Sequence, residues 1–296
     1  MPEGDTIHRQ AAQLEQQLVG QTVKAFFARG VAYPRLVGQS VAAVQAQGKH
    51  LLIDVGEARV HVHLGMQGRL RVDDPRRLYP STMGRASLVI VTERIAAVWW
   101  RAPTVEVLRA AFAHAHPGLR ALGPDLLADQ FDAAAVVARA RERAPSTELG
   151  ALLLDQRVAA GIGNVYKSEV LFLERLDPFA AVATVDDATL ARVYRRAREL
   201  MQKNLGPWRR TTTDLSRAGG DGFGGGPSGS LGPRGSARVH VYRRAGHPCR
   251  VCGSAIASAA QGEPPRRTYF CGKCQGVSRL GPSPSPRPSP DRVGRG

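Results

Sequence analysis

The chain opens with residues that could carry out covalent chemistry, Met-Pro-Glu-Gly-Asp. If Met1 is removed, Pro2 becomes an N-terminal secondary amine with Glu3 directly beside it. Such an amine is a nucleophile, and the neighbouring carboxylate can carry a proton. On these two residues alone, a proline at a helix entry followed by a solvated charge is the simpler interpretation. The remaining sequence has to distinguish the two.

A second group of reactive side chains contains all four cysteines of the chain: Cys249, Cys252, Cys271 and Cys274. Two C-x2-C pairs separated by 18 residues are typical of a tetrahedral site in which four thiolates bind one Zn²⁺; unrelated thiols or a redox pair would not explain this pattern. The segment between the pairs can form a β-hairpin that carries Arg266 and Arg267. Because such a site leaves no coordination position open, the pattern predicts one structural zinc ion.

The net charge favours a polyanionic partner. The chain has 296 residues, with 41 lysines and arginines against 25 aspartates and glutamates, and a formal net charge of +16. Nucleic acid is the first candidate, and an anionic membrane surface is the second. The apolar runs are far shorter than the roughly 20 residues of a membrane span, and the N-terminus lacks the features of a signal peptide. We therefore expect a soluble, cytoplasmic protein that acts as a monomer.

Hydrophobic periodicity predicts the elements that position these residues. A first helix has Asp5 as its N-cap and ends at Gly20, and its apolar stripe comprises four residues: Ile7, Ala11, Leu14 and Leu18. From 41 to 110, short β-rich runs separated by turn residues indicate a sandwich or barrel. Helical periodicity then predicts four helices, over 130–144, 147–158, 164–176 and 187–204.

The resulting prediction is an α+β multidomain fold. Residues 1–120 form a β-sandwich domain with an N-terminal helix, residues 121–215 form a helical domain, and residues 237–275 form a zinc ribbon hairpin. The glycine-rich segment 216–236 is predicted to be a flexible loop, and the Pro/Ser/Arg-rich tail 276–296 is predicted to be disordered.

The sequence AAGIGN separates two of the predicted helices. Gly161 and Gly163 allow backbone angles that other residues avoid, and Asn164 can cap the helix that follows. Such turns would leave free amides at the positive end of a helix dipole, where phosphate can bind. A helical hairpin without a ligand is the alternative, and the charge of +16 favours the phosphate site.

Three candidates lie in the β-rich region. Lys49 follows Gly48 at the start of a predicted strand, where a lone lysine is normally solvated. His61 and His63 share the outward face of another strand and could bind a metal, but with no third ligand evident we predict hydrogen-bonded structural roles. Met66 lies between two glycines in a predicted hairpin turn. It could act as a wedge between bases, or it could fold back under its own turn.

Taken together, these motifs resemble those of the formamidopyrimidine-DNA glycosylase and endonuclease VIII family of base-excision repair. The resemblance rests on MPEGD, GKHLL, HLGMQGR, QRVAAGIGNVYKSE and the four-cysteine pattern followed by glutamine, in this order. It covers nearly the whole chain to Gln275 and is closer to the endonuclease VIII branch. It implies that residues 1–120 are the catalytic domain and that residues 121–215 bind DNA through a helix-two-turn-helix motif.

The resemblance implies a role for each matching residue. The catalytic set comprises Pro2 as the Schiff-base nucleophile, Glu3 as the proton donor, Lys49 for β-elimination, and Arg266 for phosphate binding and δ-elimination. The DNA-binding set comprises Met66 as the intercalating residue, Asn164, Lys167 and again Arg266. Two departures stand out. Thr6 replaces a glutamate that many relatives carry, and the 216–236 segment lies where relatives have a loop that contacts the lesion.

These roles imply a bifunctional DNA glycosylase and AP lyase. It would act on double-stranded DNA that contains oxidised bases, pyrimidines more than purines, or abasic sites. The amine would attack C1′ of deoxyribose, and the resulting iminium ion would acidify the C2′ hydrogen for β- and δ-elimination. The target nucleotide would have to leave the helix. The alternatives are a catalytically weak relative that binds damaged DNA, or a zinc-ribbon protein that only binds nucleic acid.

Overall fold

The computed structural model describes residues 2–206, 210–213 and 239–277. The predicted flexible loop at 216–236 lies outside the described residues, as does the predicted tail from residue 278 onward. Among the described residues, every helix is too short or too polar to cross a lipid bilayer.

Helix α1 spans Gly4–Leu18 and buries the apolar stripe that its sequence predicts. The prediction of Asp5 as N-cap is wrong, because Glu3 has the extended backbone of a cap and Asp5 lies inside the first turn. The helix ends at Leu18 with Val19 as its C-cap, and Gly20 follows with φ +79°, as expected for a glycine that stops a helix.

Nine short strands form two antiparallel sheets: β1 (Ala25–Ala28), β2 (Val31–Ala32), β3 (Val41–Gln47), β4 (His50–Val55), β5 (Ala58–His63), β6 (Arg69–Asp73), β7 (Leu88–Val91), β8 (Ala96–Trp100) and β9 (Thr104–Arg109). One sheet has the order β2-β1-β7-β8-β6 and the other β3-β4-β5-β9. Alternate apolar residues of both sheets, such as Ile53, Val60 and Trp99, meet in one buried core with α1. This is a β-sandwich, in which each sheet covers the apolar face of the other.

Short helices connect the strands and lead into the helical part: α2 (Pro80–Arg85), α3 (Ala110–Ala113), α4 (Pro117–Arg120), α5 (Ala133–Arg141), α6 (Leu149–Leu152), α7 (Asn164–Leu173) and α8 (Asp187–Lys203). Helices α5 to α8 enclose a second buried core. The helix predicted over 147–158 is wrong beyond its first turn. Gln156 donates to the carbonyls of Leu154 and Ile162 and accepts from the amide of Gly161, which fixes this stretch as turns.

The last described part is a two-stranded hairpin, β10 (Ala257–Gln261) and β11 (Arg266–Phe270), followed by α9 (Gly272–Gln275). The cysteines at the base of the hairpin pack with Phe172 of α7, Val241 and Ile256 in a third cluster. The hairpin is thereby docked on the helix that begins at Asn164.

Candidate active site

The carboxylate of Glu3 is held by the start of α7. It accepts hydrogen bonds from the amides of Gly163 (3.0 Å), Val165 (2.8 Å) and Tyr166 (3.3 Å), and Glu3 is fully buried. Amides at the positive end of a helix dipole stabilise an anion. The prediction that these amides are free for phosphate is therefore wrong, because a carboxylate from the same chain already binds them. Gly163, rather than Asn164, is the N-cap of α7.

The lack of a side chain at Gly163 leaves room for the carboxylate of Glu3. The φ of Gly163, −118°, is open to any residue, but a Cβ atom there would lie 2.4 Å from Cδ of Glu3. Pro2 directly precedes Glu3 and is half-buried. The N-terminus and the glycine turn are therefore in direct contact, as the backbone hydrogen bond from Gly4 N to Gly161 O (3.0 Å) also shows.

Arg210 is a residue of this site that sequence reasoning missed. Its Nε donates to Oδ2 of Asp5 (2.8 Å), its Nη2 donates to Oγ1 of Thr6 (2.8 Å), and its Nη1 lies 4.0 Å from Oε1 of Glu3. The guanidinium also stacks over the ring of Tyr166 at 5.1 Å. Asp5 is fully buried, so Arg210 supplies the positive charge that two buried carboxylates need. Thr6 serves as a second acceptor for the same guanidinium.

Lys49 lies in the turn between β3 and β4. This turn packs closely against the glycine turn that precedes α7. Gly48 has φ +58°, and a Cβ atom there would lie 2.6 Å from Cβ of Ala160. The amide of Gly48 donates to Oδ2 of Asp125 (2.7 Å). Burial lowers the pKa of Lys49 to about 8; Glu3 opposes this shift and Arg266 adds to it. Lys49 therefore shares an electrostatic environment with both residues and has a neutral fraction near neutral pH.

Met66 and Arg266 meet at the edge of this site. Met66 is 60 % exposed, and Nη1 of Arg266 lies 2.9 Å from its Sδ atom. The turn that carries Met66 follows β5 and precedes β6, which belong to different sheets. The predicted hairpin turn is therefore wrong, and the segment connects the two sheets. The exposed thioether favours the wedge over the alternative in which it folds back.

Asn164 and Lys167 join α7 to strand β11. Nδ2 of Asn164 donates to the carbonyl of Arg267 (2.8 Å), and its Oδ1 has no hydrogen-bond partner among the described residues. Nζ of Lys167 donates to Oγ1 of Thr268 (2.7 Å). Lys167 is fully buried, and burial lowers its pKa to about 7. The prediction of a DNA contact for Lys167 conflicts with this position, because its ammonium group does not reach the surface.

The four cysteines converge as their spacing predicts. Sγ of Cys249 lies 3.8 Å from Sγ of Cys274, and Sγ of Cys252 lies 3.4 Å from Sγ of Cys271. All four sulfur atoms lie within 4.8 Å of one another. Zinc–sulfur bonds of about 2.3 Å in a tetrahedron place sulfur atoms about 3.8 Å apart. This cluster can therefore bind a metal ion, and its dimensions fit Zn²⁺.

Comparison with known proteins identifies the family. Residues 1–99 match the formamidopyrimidine-DNA glycosylase N-terminal domain, and residues 122–215 match the formamidopyrimidine-DNA glycosylase H2TH domain. The chain is 37 % identical over 281 residues to DNA-(apurinic or apyrimidinic site) lyase Nei2 of Mycolicibacterium smegmatis, covering 94 % of this chain and 100 % of the relative. It is 36 % identical to probable endonuclease 8 2 of Streptomyces coelicolor, covering 97 % and 96 %.

Solved structures agree. The MutM (Fpg) protein from Thermus thermophilus superposes with a TM-score of 0.71 at 30 % identity, over 93 % of this chain and 99 % of that one. Lactococcus lactis Fpg bound to DNA containing an AP site shares the fold, with a TM-score of 0.71 at 21 % identity over the same shares of both chains. The names of these proteins include a DNA-(apurinic or apyrimidinic site) lyase, an endonuclease 8 and a formamidopyrimidine-DNA glycosylase. The chain belongs to the formamidopyrimidine-DNA glycosylase and endonuclease VIII family, which confirms the family and the fold class expected from its sequence.

Proposed function

We propose that this chain removes oxidised bases from double-stranded DNA, pyrimidines in preference to purines, and then cleaves the strand by β- and δ-elimination. The observation that carries the proposal is the site around Glu3. The N-terminal Pro2-Glu3 pair is docked on the first turn of α7, and Lys49 and Arg266 lie in the same electrostatic environment.

The first step uses the amine of Pro2. Its lone pair forms a bond to C1′ of the damaged nucleotide, while the bond from C1′ to the base breaks and the base takes up a proton. Glu3 is next to Pro2 in the chain and is held by three amides. In this role it would carry a proton from the amine to the sugar ring oxygen. Ring opening leaves an iminium ion between Pro2 and C1′.

Elimination follows because the iminium ion withdraws electrons from C2′. Lys49, whose pKa burial lowers to about 8, can accept the C2′ proton in its neutral form. Loss of that proton expels the 3′-phosphate. Arg266 is exposed on the hairpin and can bind the phosphate that leaves in the second, δ-elimination.

Recognition of DNA would use the same edge of the molecule. Met66 is exposed and can fill the space that a flipped nucleotide leaves in the duplex. The unpaired oxygen of Asn164 is an acceptor, while its amide nitrogen is engaged; a phosphate contact from Asn164 would use that amide after release from Arg267. The four cysteines would bind one structural Zn²⁺ that holds Arg266 in place. We expect a monomer to suffice.

The test is borohydride trapping on a duplex with one abasic site. Correctly processed protein should form a covalent adduct, and Pro2→Gly should lose it. Protein with an N-terminal tag or retained Met1 should bind the duplex without trapping, and Pro117→Gly, far along the chain, is the matched control. Absence of the adduct from processed protein that still binds would overturn the lyase proposal and assign the chain to the DNA-binding alternative. A panel of duplexes with single lesions would then test the preference for pyrimidines.

A further inference from the structure

A cluster of imidazoles lies on the outer face of the β4-β5-β9 sheet, away from the buried core. Strand register places His50 opposite His63 and His61 opposite Glu106. The N-cap of α4, His116, adds a further imidazole above Glu106. The hydrogen-bonded role predicted for His61 agrees with its contacts to His50 and Glu106. In the sequence no third ligand was evident, and the pairing of β5 with β9 brings Glu106 to that place.

Two of these imidazoles contact the same carboxylate oxygen. Nδ1 of His61 lies 2.7 Å from Oε2 of Glu106, and Nε2 of His116 lies 3.2 Å from the same oxygen. The three atoms lie within 4.8 Å of one another. Zinc–nitrogen and zinc–oxygen bonds of about 2.0–2.2 Å require ligand atoms about 3.3 Å apart in a tetrahedron. Small side-chain rotations would therefore open this cluster to the dimensions of a metal site.

The remaining ring nitrogens are compatible with metal binding. Nε2 of His61 lies 2.7 Å from Nδ1 of His50, so His50 can accept the proton that a metal-bound His61 carries on its other nitrogen. Nδ1 of His116 accepts a bond of 3.3 Å from the amide of Leu119 and would have to carry a proton instead. That amide also donates to the carbonyl of His116 (3.1 Å), so it keeps a partner.

The cluster is partly exposed to solvent, which leaves room for a fourth ligand to a metal ion. The side chain of His61 is only 4 % exposed, whereas those of His116 and Glu106 are 21 % and 41 % exposed. One side of the cluster therefore faces protein and the other faces water.

We propose that His61, Glu106 and His116 form a second metal site, for one divalent first-row transition ion with water as the fourth ligand. Two imidazoles and one carboxylate are a donor set that suits Zn²⁺, whereas Mg²⁺ and Ca²⁺ prefer oxygen alone. The site is separate from the four cysteines. It would tie β5 to β9 and α4, next to the strand that follows Lys49.

The test counts metal ions in untagged, full-length protein. After dialysis against Zn²⁺ and removal of free ion, wild-type protein should contain two equivalents, and His116→Ala and Glu106→Gln should each contain one. His114→Ala, which changes an exposed histidine two residues away, should keep two. A wild-type content of one equivalent would overturn the proposal, and so would retention of both by His116→Ala and Glu106→Gln.

Two further measurements guard against loss of structure. Thermal unfolding should show that Glu106→Gln is folded, and added Zn²⁺ should raise the unfolding midpoint of wild-type protein but not of this variant. Co²⁺ bound in place of the second equivalent should give the weak absorption of nitrogen and oxygen ligands, and an intense thiolate band from that equivalent would place it at the cysteines and refute the site. None of these measurements depends on glycosylase or lyase activity, so their outcome is independent of the proposed function.

Discussion

Replacing Gly163 with alanine tests whether the first turn of α7 positions the proton carrier. The new Cβ would lie 2.4 Å from Cδ and 2.7 Å from Oε1 of Glu3. Ordinary carbon contacts begin at about 3.4 Å, so Glu3 must move by about 1 Å. That movement lengthens the present 3.0 Å hydrogen bond to the amide of Gly163 beyond hydrogen-bonding distance. The backbone itself is not strained by alanine, because φ is −118°.

A displacement of this size at a reacting group costs about 10²-fold in rate. We therefore expect Gly163→Ala to slow Schiff-base formation on an abasic duplex by about 10²-fold under single-turnover conditions with saturating DNA. Overpacking should also lower the free energy of unfolding by about 1–3 kcal/mol, which thermal unfolding would report. Saturating DNA separates the chemical step from any change in affinity.

The matched control is Gly84→Ala in α2, where a Cβ atom meets nothing within 4 Å. This variant should keep the wild-type rate. If Gly163→Ala also stays within about two-fold of the wild-type rate while folded, the carboxylate does not act from the position described, and the reasoning is refuted.

Other perturbations test the remaining parts of the site. Because the pKa of Lys49 is about 8, its neutral fraction and the elimination rate should rise about ten-fold from pH 7 to pH 9. If Lys49→Arg shows the same rise in rate with pH, the titrating group is the Pro2 amine and not Lys49. Met66→Ala should slow base excision from duplex DNA while leaving stability within about 0.5 kcal/mol of wild type, like the equally exposed control Val31→Ala; a wild-type excision rate would exclude the wedge. The pKa of Lys167 is lowered to about 7, below its unfolded value of about 10.4. The unfolded chain therefore binds more protons between these values, and stability relative to Lys167→Met should rise from pH 7 to pH 10; a flat difference in unfolding midpoints would contradict the burial. Removal of the metal from the cysteine cluster should lower the trapping rate even at saturating DNA, with recovery on addition of Zn²⁺, and an unchanged rate would show that the hairpin serves binding alone.

The site residues that could be predicted from the sequence all lie in short local motifs. Pro2 and Glu3 are adjacent, Lys49 follows a glycine turn, and the cysteine pairs have the spacing of a zinc site, so short-range patterns were sufficient to select them. Their collinear order supplied the family. The β-rich character of the N-terminal part was also predictable, because short runs rich in β-forming residues are separated by turn residues and β5 alternates between apolar and polar types.

The contacts that were missed depend on tertiary structure. Arg210 binds Asp5 across 205 positions of the chain, and nothing in its neighbourhood distinguishes it from a solvated arginine. Glu106 meets His61 only because β5 pairs with β9 in one register. The phosphate site expected at the glycine turn failed for a related reason: the amides were correctly predicted to be available for an anion, but that anion is Glu3, which lies 160 positions away.

The arrangement around α7 links the cysteine hairpin to the chemical step. The amides that hold Glu3 belong to the first turn of this helix, and the same turn carries Asn164, whose Nδ2 donates to the carbonyl of Arg267 on β11 (2.8 Å). One turn further, Lys167 donates to Thr268 on the same strand. A hairpin that loses its fold would release both contacts and free the start of α7 to move. Because Glu3 depends on that start for its orientation, a metal ion that touches no reacting atom would still affect proton transfer as well as the position of Arg266.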